Sequence, residues 1–395
     1  MFKLCLFPSV GYWIDNEKIF FDRKFYDGLK IYKQLWGGEV QVCIRKSTAP
    51  PPKFGLVEFV EKSSPIKFVF LEVDERPTIT HLVEVDIVLA SADEFRNLAL
   101  SKVCNKNDIK CVYYIEYILE TRLQINFLSN ASFFKKIKTT VWLLLTEIKR
   151  RSALSFANGL QSNGTPAYLA YSKKIKDDKS SLLYFDTRNT VDMLVNNESM
   201  EERLSSLSTK KIIRLAFSGR ISAMKGADDL IQFAKILDRK SVNFHLDIFG
   251  DGDLNQSLMK EIEDEKLSNK VIFHGPVDYK SELVPFIQKN IDVFICCHKQ
   301  SDPSCTYLET YSCGVPILGY DNKAHSGILK VADVGWEVPL GNIEALVEKL
   351  IEINSNRNEI VDKSRRAVSF AKLHTFEKTF QNRIENCRYV LRSND

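Results

Sequence analysis

The 395-residue sequence predicts an α/β protein of two Rossmann-like, doubly wound parallel-sheet domains facing a central cleft. Three observations carry this. The chain is longer than one ordinary hydrophobic core fills. Short β-rich runs alternate with segments of helical period in both halves, the pattern of βαβ units whose parallel strands are covered on both faces. Between the halves lies "DMLVNNESMEERLSSLSTKK", Asp192 to Lys211, polar and without a strand.

In the first half the expected strands are "FKLCLFP", "VQVCIRK", "IKFVFLEV", "DIVLAS" and "CVYYIEY", with "RKFYDGLKIYKQLWG" as the first helix. In the second half they are "IIRLAFSG", "FHLDIFGDG", "KVIFHG", "DVFICC" and "VPILGY". The helices "ADDLIQFAKILDRK", "DLNQSLMKEIEDEKL" and "SELVPFIQKN" separate them. The expected domains are therefore 1–191 and 211–374, with 192–210 as linker. A last helix, 375–395, has Phe376, Phe380, Ile384 and Cys387 at helical spacing and is expected to pack back on the first domain.

Composition narrows the class. A chain 44% hydrophobic and 27% charged is that of a globular protein, and a net charge of +4 is too balanced to make nucleic acid its main partner. Nine cysteines without a C-x-x-C pair, several inside apolar runs (Cys5, Cys43, Cys111, Cys296), read as reduced thiols. Reduced thiols point to a cytoplasmic setting, and since no stretch reaches the roughly 20 apolar residues of a membrane span, a soluble or peripheral protein is expected.

Ligands of such sheets bind at the carboxyl ends of strands. Strand "IIRLAFSG" leads into Gly219, Arg220 and, five residues further, Lys225. A two-pronged guanidinium and a mobile ammonium beside glycines suit a polyanion such as a diphosphate. After "DVFICC", the run Asp302-Pro303-Ser304 can turn the chain so that the N–H groups of Ser304, Cys305, Thr306 and Tyr307 open a helix, a place that favours an anion. Glu309, one turn in, offers a carboxylate able to accept from two vicinal hydroxyls, as ribose recognition requires. Its apolar neighbours argue against exposure, so it needs partners. Gly314 suits a left-handed helix stop. Asp251-Gly252-Asp253 looks like a metal-binding D-x-D, but its strand-turn-helix context makes Gly252 a turn residue and Asp253 an N-cap. No metal is expected.

With "SGRISAMKG", "IFGDGDL", "VIFHGPV" and "ETYSCGVPI" in this order, residues from about 211 to 375 resemble the retaining glycosyltransferases of family four, which have the GT-B fold. The resemblance implies that Arg220 and Lys225 hold a donor diphosphate and act in catalysis, and that Glu309 holds a ribose. It also implies that backbone near Gly275 and Val277 faces the base. The family's first glutamate, eight residues before Glu309, falls here at Ser301, which leaves Asp302 as the carboxylate nearest the donor sugar. The implied activity is retaining, metal-independent sugar transfer from a nucleotide sugar, UDP-linked in preference to GDP-linked, to a glycan or lipid-linked acceptor in bacterial surface polysaccharide synthesis. No cofactor is implied. A nucleotide-sugar epimerase of the same fold, or an inactive nucleotide-sugar-binding subunit, are the competing readings.

Acceptor-side candidates lie on loops of the first half: Glu116, as a catalytic base or a structural carboxylate, Tyr117 beside it, and Asp93 after "DIVLA". Arg188, in "YFDTRNT", is a candidate for diphosphate or acceptor contact or for a linker ion pair. Residues 133–151, "FFKKIKTTVWLLLTEIKRR", hold six basic residues and one acid. Ile137, Val141, Leu144, Leu145 and Ile148 share one helical face, expected to pack on the sheet and to leave Trp142 and Leu143 among the lysines. A cationic face with a protruding Trp fits an anionic membrane surface at the inner face of the plasma membrane.

Overall fold

The computed structural model describes residues 2–52, 55–60 and 64–393. The chain divides into two compact units, one of Met1–Arg122, Ser132–Tyr184 and Glu377–Asp395, the other of Leu123–Ala131 and Phe185–Phe376.

The first unit holds strands β1 (Leu4–Phe7), β2 (Trp13–Asp15), β3 (Lys18–Asp22), β4 (Val40–Arg45), β5 (Leu56–Phe59), β6 (Lys67–Leu71), β7 (Ile87–Ser91), β8 (Lys110–Ile115), β9 (Gly159–Asn163) and β10 (Ser181–Tyr184). Its helices are α1 (Arg23–Trp36), α2 (Leu100–Asn105), the start of α3 (Leu119–Leu128), α4 (Phe133–Ser155) and α5 (Thr165–Tyr171). Seven strands form one parallel sheet in the order β10-β9-β8-β7-β1-β4-β6. Four consecutive buried residues in β1, and six in β4, are what a sheet covered on both faces demands. A small antiparallel sheet, β2-β3-β5, stands beside it.

The second unit begins with α6 (Asn197–Ser205). It continues through β11 (Ile213–Ser218), α7 (Ala227–Arg239), β12 (Phe244–Phe249), α8 (Asn255–Asp264), β13 (Val271–Gly275), α9 (Val284–Asn290), β14 (Val293–Cys296), α10 (Thr306–Ser312), β15 (Ile317–Tyr320), α11 (Lys323–Val331), β16 (Gly335–Val338), α12 (Ile343–Ser355) and α13 (Asn358–Lys372). Its six strands are parallel in the order β13-β12-β11-β14-β15-β16. The final helix, α14 (Phe376–Arg392), groups with the first unit from Glu377 onward. Phe380, Ile384, Cys387 and Val390 are buried, and Arg383 donates to Gln161 of β9 at 2.9 Å.

Two expectations need correction. Residues 192–210, expected as the linker between domains, group with the second unit, where α6 buries Met200, Arg203 and Leu204. Arg203 donates to the carbonyls of Gln288 at 2.9 Å and of Gly314. A polar composition hid this because both terminal nitrogens of the buried guanidinium donate to main-chain oxygens, which composition does not register.

Helix α4 is turned over. The residues expected against the sheet, Ile137, Val141, Leu144, Leu145 and Ile148, are exposed, whereas Leu143, Thr146, Glu147, Arg150, Ala153 and Leu154 are buried. Arg150 donates to Glu147 at 2.7 Å and to the Ala92 carbonyl at 2.9 Å, and Tyr171 donates to the same Glu147 carboxylate at 3.1 Å. A buried face that carries its own ion pair reads as polar in a hydropathy pattern.

Candidate active site

In the second sheet the strand order reverses between β11 and β14, since β12 and β13 lie on one side of β11 and β14 to β16 on the other. Such a reversal leaves a crevice at the carboxyl ends of the two central strands. The segments leaving β11 and β14 meet there: Lys225 donates to Asp302 at 2.9 Å, and the Lys299 N–H donates to the Met224 carbonyl at 3.0 Å.

Glycines let these loops approach each other. A Cβ on Gly250 would collide with the Gly219 carbonyl oxygen, and one on Gly226 with that of Cys297; both have positive φ, +133° and +69°. Gly219 N–H donates to Phe249 O and Gly250 N–H to Gly275 O, so the ends of β11, β12 and β13 are stitched into one rim. Val277, just after that rim, is half-buried. Gly252 is needed for a close approach to the Ile221 backbone. Asp253 is not an N-cap: α8 starts after Leu254, and it is Asp251 that accepts from the Gly252 N–H and the Asn255 amide.

The electrostatics centre on Lys225 and Asp302, whose side chains are 16% and 12% exposed. The second oxygen of Asp302, the amide oxygen of Gln300 and both ring nitrogens of His298 are buried without a partner among the described residues. Arg220, by contrast, is exposed and makes no ion pair among them. Burial, and then the Lys225 charge, hold His298 well below the ordinary imidazole range, and burial takes His325 down to about 4.

These two histidines set an acid limit on the unit. Because their folded-state pKa values lie below the unfolded one, their neutral forms cost nothing above about pH 6.5, and stability is lost as pH falls below it toward the folded values. At pH 5 His325 alone should cost on the order of 2 kcal/mol. Urea unfolding of the second unit at pH 7.5 and 5 checks this: His325→Gln should flatten the dependence, and an unchanged slope would show that the ring is not buried neutral.

Segment 301–309 is tied more closely than its sequence suggests. Ser301 is not open to a ligand: its N–H donates to Gln124 at 3.0 Å and its hydroxyl accepts from the Lys323 N–H at 3.1 Å. The N–H groups of Ser304 and Tyr307, expected to face an anion, donate instead to the carbonyls of Asp302 and Ser304. The Ser304 hydroxyl donates to Thr306 Oγ1 at 3.1 Å, and the Cys305 thiol lies 3.7 Å from the Asp186 carboxylate. Glu309 has the partner that its burial requires. Arg188 forks onto its carboxylate at 2.7 and 3.3 Å and stacks on the Tyr279 ring at 3.6 Å. Arg188, which lies in the second unit, thus makes an ion pair, one of the roles that its sequence offered. Two carboxylate lone pairs suffice for the fork, which leaves the others for a ligand hydroxyl.

In the first unit, Asp93 is engaged in a local hydrogen-bond network. Its carboxylate accepts from the N–H groups of Glu116, at 2.9 Å, and Tyr117, at 3.3 Å, and pairs with Arg122, which also donates to the Tyr117 carbonyl. It thereby holds the loop that presents Glu116 and Tyr117. The order of this sheet reverses at β1, between β7 and β4, which puts the Pro8–Gly11 turn at the carboxyl end of the pivotal strand. Tyr114 accepts from the Ser9 N–H at 3.2 Å. This turn was missed in the sequence because it lacks charge; the proline and glycine after "FKLCLF" were its only signal. Residue types apart, no cluster of three or more His, Cys, Asp or Glu that could hold a metal occurs among the described residues.

Two such sheets define the class: the chain has the GT-B fold of glycosyltransferases. It superposes on HepE of Anabaena, solved in complex with UDP, with a TM-score of 0.64, 13% identity and coverage of 98% of this chain and 100% of that one. It also superposes on WaaG, a glycosyltransferase involved in lipopolysaccharide biosynthesis, with a TM-score of 0.60, 13% identity and coverage of 98% and 99%. Identities this low speak for the fold alone. Residues 198–373 match the family described as glycosyl transferases group 1. A poly(glycerol-phosphate) alpha-glucosyltransferase of Bacillus subtilis (strain 168) is 25% identical over 210 residues, 53% of this chain but only 29% of that relative's length.

Proposed function

We propose that the protein transfers a sugar from a nucleotide sugar, UDP-linked in preference to GDP-linked, to a glycan or lipid-linked acceptor in bacterial surface polysaccharide synthesis, with retention and without a metal, at the inner face of the plasma membrane. The observation that carries this reading is the meeting of Lys225 with the Asp302 segment at the strand-order reversal, with Arg220 unpaired on the same β11 loop. In this reading the departing diphosphate takes Lys225 from Asp302 and adds Arg220, so two cations offset charge as the sugar–phosphate bond breaks. Asp302, released from Lys225, accepts from a sugar hydroxyl in place of the missing glutamate. The acceptor hydroxyl then attacks the face the diphosphate has left. The UDP in the HepE structure and the alpha-glucosyl name of the Bacillus relative support the donor and stereochemical parts.

Incubation with a panel of UDP- and GDP-sugars and a glycan acceptor tests it, with NMR of the product's anomeric proton. Transfer with the donor's configuration kept is the expected result; inversion overturns the retaining reading, and interconversion of donors without acceptor makes the protein an epimerase. Activity should survive EDTA, and full inhibition reversed by Mg²⁺ or Mn²⁺ would return Asp251 and Asp253 to consideration as ligands.

Glu309→Gln should raise the Kd for UDP by about tenfold or more, the loss of one charge-assisted hydrogen bond of about 1.5–3 kcal/mol, and leave free pyrophosphate nearly unaffected. Calorimetry with both ligands checks it, with Arg188→Gln as control for the broken fork. Equal losses for UDP and pyrophosphate would take the ribose away from Glu309.

A further inference from the structure

The outward face of α4 is apolar along its length. Phe134, Ile137, Val141, Leu144, Leu145 and Ile148 recur every three or four residues, Phe134 82% and Ile148 68% exposed against 6% for Leu143 on the inner side. From Phe134 to Ile148 the stripe runs about 21 Å at the helical rise. A stripe of this kind on a helix whose other face is already packed lacks only a partner.

Charge selects the partner. Projected at 100° per residue, Lys138 and Lys149 border the stripe on one side and Arg151 on the other, with Lys135 further round. Lys135, Lys138 and Lys149 are exposed and make no ion pair among the described residues. The helix has one acid, Glu147, and that acid faces inward, held by Arg150 at 2.7 Å and Arg151 at 2.8 Å. The outer side thus combines large apolar groups with cations and no anion. Two copies set stripe to stripe would bring lysine rows together with no carboxylate to pair them.

We infer that α4 docks in the plane of an anionic lipid leaflet, with Phe134, Ile137, Val141, Leu144, Leu145 and Ile148 among the acyl chains and Lys138 and Lys149 at the headgroups. The contact is in-plane, since no helix among the described residues is long and apolar enough to cross a membrane. Lysine stems cover apolar surface while their ammonium groups reach phosphate, and each basic residue near an anionic surface adds to the attraction. The inference rests on the lipid-linked-acceptor reading for its purpose, and reverses the face that the sequence pattern had assigned to the membrane.

The test is co-sedimentation of the full chain with phosphatidylcholine vesicles, with or without about one-third phosphatidylglycerol, at low and high salt. Wild type should bind the anionic vesicles and lose much of that binding in salt. Leu144→Gln/Leu145→Gln/Ile148→Gln should lower partitioning at least tenfold with an unchanged melting temperature, and Lys138→Gln/Lys149→Gln should remove the preference for anionic lipid. Wild type that ignores both vesicles, a triple variant that binds like wild type, or a wild-type dimer by light scattering that the triple variant dissolves would each overturn the inference. Turnover of the nucleotide sugar with a soluble acceptor is measured alongside: its absence in every protein while vesicle binding persists would remove the proposed function and leave the docking surface standing.

Discussion

Lys225→Ala should raise the Kd for a nucleoside diphosphate by about 10- to 150-fold, the loss of a charge-assisted contact of about 1.5–3 kcal/mol, and should lower turnover at least as much. The effect should exceed that of Arg220→Ala for a structural reason. Removing Lys225 leaves Asp302, buried with one oxygen already unpartnered, as an uncompensated carboxylate facing the incoming diphosphate. Arg220, exposed and unpaired among the described residues, takes no such partner with it. Lys225→Ala/Asp302→Asn should therefore regain part of the affinity lost by the single variant. Calorimetry with UDP measures all of these, and a thermal melt confirms that each protein is folded. A Lys225→Ala protein that binds UDP like wild type would dispose of the diphosphate clamp; no recovery in the double variant would mean that Asp302 does not oppose the ligand.

Arg150→Ala should destabilise the first unit by about 3–5 kcal/mol, because it strands Glu147 in the interior. Both side chains are nearly inaccessible, at 1% and 6% exposure, and Arg151, itself half-exposed, compensates only one carboxylate oxygen. The Tyr171 hydroxyl, pushed up by burial and then by the Glu147 charge, cannot take over the role of a cation. Glu147→Leu/Arg150→Met, which removes both charges and keeps the volume, should recover most of the loss, since a buried pair is costly mainly when it is broken. Urea midpoints for the three proteins decide. An Arg150→Ala protein as stable as wild type would mean that the helix is turned as the hydropathy pattern suggested, with Arg150 in water. The same result would also remove the basis for lipid docking, since the apolar stripe would then be inside.

The parallel strands were legible because each is a short run of aliphatic and aromatic residues bounded by glycine, proline or polar turns, and such runs are buried on both faces whatever surrounds them. The small antiparallel sheet was not legible: "WID" and "KIFFD" are too short and too mixed to stand out, and only their pairing with "LVEF" makes strands of them. At the candidate site, Lys225 and Arg220 were singled out by their place after β11, and Glu309 by the mismatch between its charge and its apolar neighbours. Their partners were beyond reach. Asp302 is 77 residues from Lys225, and Arg188 is 121 from Glu309, so no local pattern links them.

What the sequence by itself determined is therefore the order of strands and helices and the residue types at the carboxyl ends of the strands, because propensity, burial period and turn chemistry act over a few residues at a time. Only the tertiary structure decided which carboxylate each cation meets, that Ser301 is closed by Gln124 and the Lys323 N–H, and which face of α4 is inside. Periodicity says that a helix has two faces; it does not say which one the fold buries when the polar face carries a satisfied ion pair and the apolar face is the one left exposed.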